Sequence, residues 1–174
     1  GKGTRMRDLT NEIPKPMLKV QGKPILQHII EELLSVGIRE FCIVTGWHAE
    51  AVERFFGDGS QFGARIRYVR QVVQDGTGKA PELAKEFAGS EPFLLTYGDI
   101  LVKPETYADM LKRWGEGKFA GLVTVTGSED VTKGGLFFFE ADFCLKHLVE
   151  KPSVAQLAEL LAQGWLKEGE TAWY

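Results

Sequence analysis

A few charged side chains in this sequence stand where the surrounding residues give a reason to hold them still, and their types suit phosphate chemistry. The chain opens Gly1-Lys2-Gly3-Thr4-Arg5. Glycines so spaced let successive backbone N–H groups turn toward one point, and such nests bind phosphate oxygens. The string is not a P-loop, because Gly3 follows Lys2 where Ser or Thr would stand. Nor is it the dinucleotide fingerprint, because Met6 takes the place of the third Gly. By itself it reads as a flexible terminal tail. Farther on comes Pro14-Lys15-Pro16-Met17-Leu18, where two prolines fix the backbone around one lysine and reduce the entropy lost in aiming its ammonium. Arg5 and Lys15 together could clamp a triphosphate, although the ordinary fate of such cations is solvation at the surface.

A carboxylate complements these cations. The run Phe93-Leu94-Leu95-Thr96-Tyr97 ends at Gly98-Asp99. An apolar parallel strand delivers such a carboxylate from its tip into the crevice at the carboxyl edge of a sheet. A hard Mg²⁺ is held there by one or two carboxylates plus phosphate oxygens and water. The plain alternative is an Asp that starts a turn. Gln71, in Gln71-Val72-Val73-Gln74-Asp75-Gly76-Thr77-Gly78, carries an amide with both a donor and an acceptor, but the bare string reads equally as a polar turn. Glu150-Lys151-Pro152 alone would be a solvated turn. The histidines, His28, His48 and His147, show no metal-ligand spacing.

The elements that must position these groups follow from periodicity. Residues 1–18 have no sustained period and read as a long loop, of the kind that is usually functional. Ile25, Leu26, Ile29, Ile30, Leu33 and Leu34 predict an amphipathic helix over 24–36, with Pro24 in its first turn and Gly37 at its end. A strand at 41–45, a helix at 49–56, a strand at 64–69, a helix at 81–87, a fully apolar strand at 92–96 and a helix at 104–114 follow. This β-α-β-α-β-α order predicts a mostly parallel sheet with helices on both faces and ligands at the carboxyl ends of the strands. After Lys118 the texture changes to β-favouring runs at 119–126, 134–140 and 145–149 with short connections, then a helix at 154–162. That half reads as more antiparallel and as the place for a second substrate.

Composition narrows the class. With 174 residues, 44% hydrophobic and 26% charged, one domain able to bury a core is expected. A formal charge of −3 supplies no basic field, so coating nucleic acid or an acidic membrane is disfavoured. No apolar run approaches the roughly 20 residues of a membrane span, and the opening residues are not a secretory signal, so a cytoplasmic protein is expected. Cys42 and Cys144 lie in apolar, strand-like surroundings and read as inert thiols.

Gly-x-Gly-Thr-Arg followed after a short spacer by Pro-Lys-Pro-Met resembles the signature of the sugar-1-phosphate nucleotidyltransferases. The resemblance continues in order through Gln71 to Gly78, Gly98-Asp99, Gly134-Gly135 and Glu150-Lys151-Pro152, over nearly the whole chain. It implies an α/β, three-layer α/β/α Rossmann-like fold (GT-A-like) with a mostly parallel central sheet and a small sugar-binding lobe. The single domain would divide into a nucleotide-binding part, 1–117, and a sugar-phosphate-binding part, 118–174, with terminal segments missing at both ends. The family's strand before the Gly-rich loop and its distal metal-binding Asp are both absent from this sequence.

The resemblance further implies a Mg²⁺-dependent joining of a nucleoside triphosphate to a sugar-1-phosphate. Arg5, Lys15, Asp99 and Lys151 would be catalytic, with Asp99 holding the metal. Gly1, Gly3, Thr4, Gln71, Gly76 and Thr77 would bind the nucleotide, and Gly135, Glu150 and Lys151 the sugar phosphate. UTP or dTTP is preferred and CTP stays open, as does the sugar. Homo-oligomers are common in the group. The alternatives are an inactive regulatory module of the same fold and a nucleotidyltransferase for a non-sugar phosphate such as phosphocholine.

Overall fold

Leu26, Ile29, Ile30 and Leu33 recur at the spacing that puts apolar side chains on neighbouring turns, and helix α1 (Ile25–Ser35) buries all four. Its two sides serve two clusters. Leu26 and Ile30 join Val52, Phe56, Ala64 and Ile66, while Ile29 and Leu33 join Tyr107, with Phe41 packed against both clusters. The helix ends in a Schellman motif. Gly37 N–H donates to the Leu34 carbonyl (3.1 Å) and Ile38 N–H to that of Leu33 (3.1 Å), with Gly37 at φ 93°. The computed structural model describes residues 13–73, 77–117, 119–128, 134–165 and 172–173.

The chain divides into two units, Gly1–Glu116 and Gly117–Tyr174. In the first, a 3₁₀ turn (Lys15–Met17) leads into a hairpin of β1 (Lys19–Val20) and β2 (Lys23–Pro24) and then into α1. Strand β3 (Glu40–Thr45), helix α2 (Ala49–Phe56) and strand β4 (Arg65–Arg70) follow. β3 and β4 pair in parallel from Glu40↔Arg65 to Thr45↔Arg70, the β-α-β unit expected of an α/β fold. Gly59 in the α2–β4 connection is at φ 87°, and a Cβ there would stand 2.7 Å from Ile66 Cγ1. Only glycine meets both conditions.

Three expectations shift. The helix expected at 81–87 is broken at Ala84 into α3 (Ala80–Leu83) and α4 (Lys85–Ala88), and the next helix, α5, runs Thr106–Glu116, with Pro104 ahead of it. The run 92–96 belongs to no ladder among the described residues, where the parallel sheet is β3 and β4 alone. Its side chains alternate accordingly: Phe93, Leu95 and Tyr97 are exposed, while Leu94 packs with the Ile29–Leu33–Tyr107 cluster.

The second unit is antiparallel. β6 (Gly135–Phe139) pairs with β7 (Leu145–Glu150), with an irregularity between Phe138 and Phe139. β8 (Ala172–Trp173) lies between β6 and β5 (Gly127–Ser128). The β-favouring stretch 119–126 is not a strand. Leu136 and Phe138 on alternate positions of β6 pack against Leu160 of helix α6 (Val154–Ala162). A capping box opens that helix: Gln156 N–H donates to Ser153 Oγ, and Ser153 N–H to Gln156 Oε1.

Candidate active site

Lys15 owes its aim to the backbone on either side. Pro14 lies at φ −64°, ψ 143°, and Pro16 occupies the turn itself. Met17 N–H closes the turn onto the Pro14 carbonyl (2.7 Å), Leu18 N–H bonds the Lys15 carbonyl (3.1 Å), and Ile25 N–H ties Leu18 to the start of α1 (2.9 Å). From this turn Lys15 Nζ reaches Asp99 Oδ2 at 2.8 Å, with the two side chains 36% and 31% exposed.

The Gly98-Asp99 turn rests on the same ground. A Cβ at Gly98 would meet Leu26 Cδ1 at 3.5 Å and Pro16 Cγ at 3.6 Å. Just upstream, Thr96 Oγ1 and the buried Tyr107 hydroxyl are 3.2 Å apart, which fastens the segment that carries Asp99 to α5. Burial pushes the Tyr107 phenol up, so the hydroxyl keeps its proton and can donate. Two motifs remote in sequence thus meet as a half-exposed pair of opposite charges. So open a pair contributes only ~0–1 kcal/mol to stability, whereas the same two groups suit a polyphosphate and its counter-cation.

The chemistry of this donor set fits Mg²⁺. Among the described residues, no three or more His, Cys, Asp or Glu side chains are grouped to hold a metal ion. An accessible carboxylate beside a lysine is the kind of site at which Mg²⁺ relies on one carboxylate, substrate phosphates and water, not on a protein cage.

Gln71 stands directly past the carboxyl end of β4, half-buried, and its N–H donates to the Thr45 carbonyl at the end of β3 (2.7 Å). Strand ends are where open α/β sheets bind ligands. Thr77 starts a 3₁₀ turn (Thr77–Lys79) that runs into α3. Gly1, Gly3, Thr4, Arg5 and Gly76 lie outside the described residues.

In the second unit the three expected sugar-phosphate residues come together at one end of the β6–β7 pair. Gly135 is the register partner of Glu150, and Lys151 N–H donates to the Gly134 carbonyl (2.7 Å). Lys151 is at φ 45°, the left-handed region that a non-glycine residue seldom occupies. Its Nζ lies 3.2 Å from Glu150 Oε1, and both side chains are exposed. A Cβ at Gly135 would stand 2.9 Å from Leu148 Cδ1, the far end of an exposed side chain.

Within the first unit, residues outside the sequence expectations hold the end of β4 to α2. Glu53 of α2 takes two hydrogen bonds from Arg70, which also pairs with Glu50. The available signal was two carboxylates three apart on one helix and an arginine immediately before Gln71. The thiols behave differently from expectation in one respect. Cys42 is half-buried and its thiol is pushed up by burial, but Cys144 is exposed in a turn, where the neighbouring Asp142 carboxylate raises it. Both are free. His28 donates from Nε2 to the Val20 carbonyl (2.8 Å), and His147 lies against Phe138 and Trp165. No helix among the described residues is long and apolar enough to cross a membrane.

Comparison with known proteins gives a consistent picture. The family model described as nucleotidyl transferase matches residues 1–169. The low-salt glycan biosynthesis nucleotidyltransferase of Haloferax volcanii is 30% identical over 153 residues, covering 87% of this chain and 43% of that protein. A UTP–glucose-1-phosphate uridylyltransferase of Staphylococcus epidermidis is 36% identical over 129 residues, covering 62% and 45%. A crystal structure of UDP-glucose pyrophosphorylase complexed with UDP-glucose superposes with a TM-score of 0.73 at 27% identity, over 88% of this chain and 66% of that one. The chain spans about half the length of the first two relatives.

Proposed function

The chain belongs to the nucleotidyl transferase family, and from that premise we propose that it couples a nucleoside triphosphate to a sugar-1-phosphate, yielding an NDP-sugar and pyrophosphate. The observation that carries this reading is the Lys15–Asp99 pair at 2.8 Å, which joins the Pro-Lys-Pro-Met turn to the Gly-Asp turn.

In this reaction a phosphate oxygen of the sugar-1-phosphate attacks the α-phosphorus of the triphosphate. A new P–O bond forms as the α–β bridging P–O bond breaks, and pyrophosphate leaves with the bonding electrons. No covalent enzyme intermediate is required. Positioning and neutralisation of charge carry the catalysis. Lys15 holds the α-phosphate and offsets the charge that builds there, while Arg5 stabilises the departing pyrophosphate. Asp99 would hold a Mg²⁺ ion, which when bound would supply further charge neutralisation. The amide of Gln71 reads a pyrimidine edge, with UTP or dTTP preferred over CTP. In the second unit Glu150 accepts hydrogen bonds from sugar hydroxyls, Lys151 pairs with the acceptor phosphate, and Gly135 lets the backbone come close to the sugar.

The test is incubation of the full-length protein with Mg²⁺, each of UTP, dTTP, CTP, ATP and GTP, and a panel of hexose-1-phosphates. Products are identified by mass spectrometry and pyrophosphate by a coupled assay. One NDP-sugar formed with stoichiometric pyrophosphate is the expected result. No NDP-sugar in any combination, with nucleotide binding intact, would overturn the reading in favour of a binding module or a non-sugar acceptor.

A further inference from the structure

The best-built polar cluster among the described residues of the first unit is not one to which the reaction assigns a role. Arg70, the last residue of β4, donates from Nε to Glu53 Oε1 (3.0 Å) and from Nη2 to Glu53 Oε2 (2.7 Å), the two-point geometry that a planar guanidinium makes with a carboxylate. Its Nη1 also lies 3.1 Å from Glu50 Oε1. The buried Thr45 also donates from Oγ1 to Glu53 Oε1 (3.3 Å), the oxygen that accepts from Arg70 Nε. Thr45 is the residue whose carbonyl accepts from Gln71 N–H (2.7 Å).

One carboxylate on α2 is therefore bonded to the final residue of β3 and the final residue of β4, and Gln71 is attached to both, covalently through Arg70 and by hydrogen bond through Thr45. A second tie keeps α2 and β4 in register: the Tyr68 hydroxyl donates to the Gly57 carbonyl at the end of α2 (2.7 Å). The hydrogen bonds from Arg70 hold the Glu53 carboxyl below its ordinary range, so it remains an acceptor at neutral pH. Val72 and Val73, immediately past Gln71, are exposed. The regular ladder stops at Arg70, and the network marks the point beyond which the chain is no longer held by strand pairing.

We propose that Glu53 and Arg70 are positioning residues for nucleobase selection: they fix the backbone from which Gln71 presents its amide to the base. This rests on the reading of Gln71 as the residue that contacts the base. An amide discriminates between bases only if its donor and acceptor ends are held in place. A glutamine on an unanchored loop can turn its amide to suit either pattern. The clamp restricts that freedom at the backbone, without touching the nucleotide.

The experiment compares the selectivity ratio, kcat/KM for the best nucleoside triphosphate over kcat/KM for the next best among UTP, dTTP, CTP, ATP and GTP, in full-length wild type, Gln71→Ala, Glu53→Gln and the double variant. A loss of stability lowers both terms alike and leaves the ratio unmoved; a loss of positioning collapses it. Both single variants are expected to lower the ratio by about tenfold, equivalent to ~1.4 kcal/mol of discrimination, with KM for the sugar phosphate unchanged. The double variant is expected to be no less selective than Gln71→Ala. Arg70→Lys keeps the charge but loses the planar fork, so it reports on the same clamp should Glu53→Gln fail to fold. If Gln71→Ala collapses the ratio while Glu53→Gln or Arg70→Lys leaves it at the wild-type value, the positioning role is overturned. If Gln71→Ala itself keeps the wild-type ratio, it is the base-reading role of Gln71 that fails.

Discussion

Replacing Lys15 by Gln separates structural from chemical work at the ion pair. The ammonium lies 2.8 Å from Asp99 Oδ2, with the two side chains 36% and 31% exposed. Pairs this open to water contribute ~0–1 kcal/mol to folding, which for a chain of this size shifts Tm by at most about 2–4 °C. Glutamine still reaches toward Asp99 and can donate a neutral hydrogen bond, so the stability change belongs at the low end of that range. Catalysis scales differently. A fixed donor aimed at charge that builds in the transition state is worth ~2.7–4 kcal/mol, or about 10²–10³ in kcat. Lys15→Gln is therefore expected to lose two to three orders of magnitude in kcat, measured by pyrophosphate release at saturating substrates, while its melting curve stays within a few degrees of wild type. Wild-type kcat would refute the reasoning. So would a rate loss accompanied by a collapse of Tm, because the pair would then be a structural staple.

Four further outcomes test the fold and the residues it positions. Phe56 is fully buried in the Leu26–Ile30–Val52 cluster, so Phe56→Ala is expected to cost about 3–5 kcal/mol in urea unfolding. Tyr107→Phe removes the 3.2 Å contact with Thr96 Oγ1 and is expected to cost ~0.5–1.5 kcal/mol. The same phenol makes stability pH-dependent on the alkaline side. Burial raises its folded value above the unfolded one, so as pH rises past the ordinary phenol range the unfolded state loses this proton first and stability falls. Urea midpoints at about pH 9 and 11, either side of the free phenol value, should show that loss in wild type and a smaller one in Tyr107→Phe. In Gly135→Ala the new methyl meets Leu148 Cδ1, the movable end of an exposed side chain, so little stability is lost, while KM for the sugar phosphate is expected to rise as the backbone is screened.

Local pattern carried much of the fold. The spacing of Leu26, Ile29, Ile30 and Leu33 marks α1 because a helix buries one stripe, and Gly37 marks its end because the Schellman motif needs a positive φ. The run 93–97 misled for a related reason. Consecutive apolar residues at Phe93, Leu94 and Leu95 suggest a strand covered on both faces, but that cover comes from neighbours that a single stretch of sequence does not specify, and Phe93, Leu95 and Tyr97 are exposed here.

Lys15 and Asp99 each stood out in the sequence, but their meeting did not, because the central contact joins residues remote in sequence, and nothing local to Lys15 points at Asp99. The Glu53–Arg70 clamp was missed on the same ground. Glu50 and Glu53 look like the solvated face of a short helix until β4 brings Arg70 alongside.

The most direct measurement is the Mg²⁺ dependence of NDP-sugar formation in Asp99→Asn beside wild type, with circular dichroism and melting curves as the check on folding. Loss of turnover at every Mg²⁺ concentration, with the fold intact, is the expected result, since the amide keeps the shape of the carboxylate and removes its charge. Full Mg²⁺-dependent turnover in Asp99→Asn would contradict the assignment of the Lys15–Asp99 pair as the reaction centre.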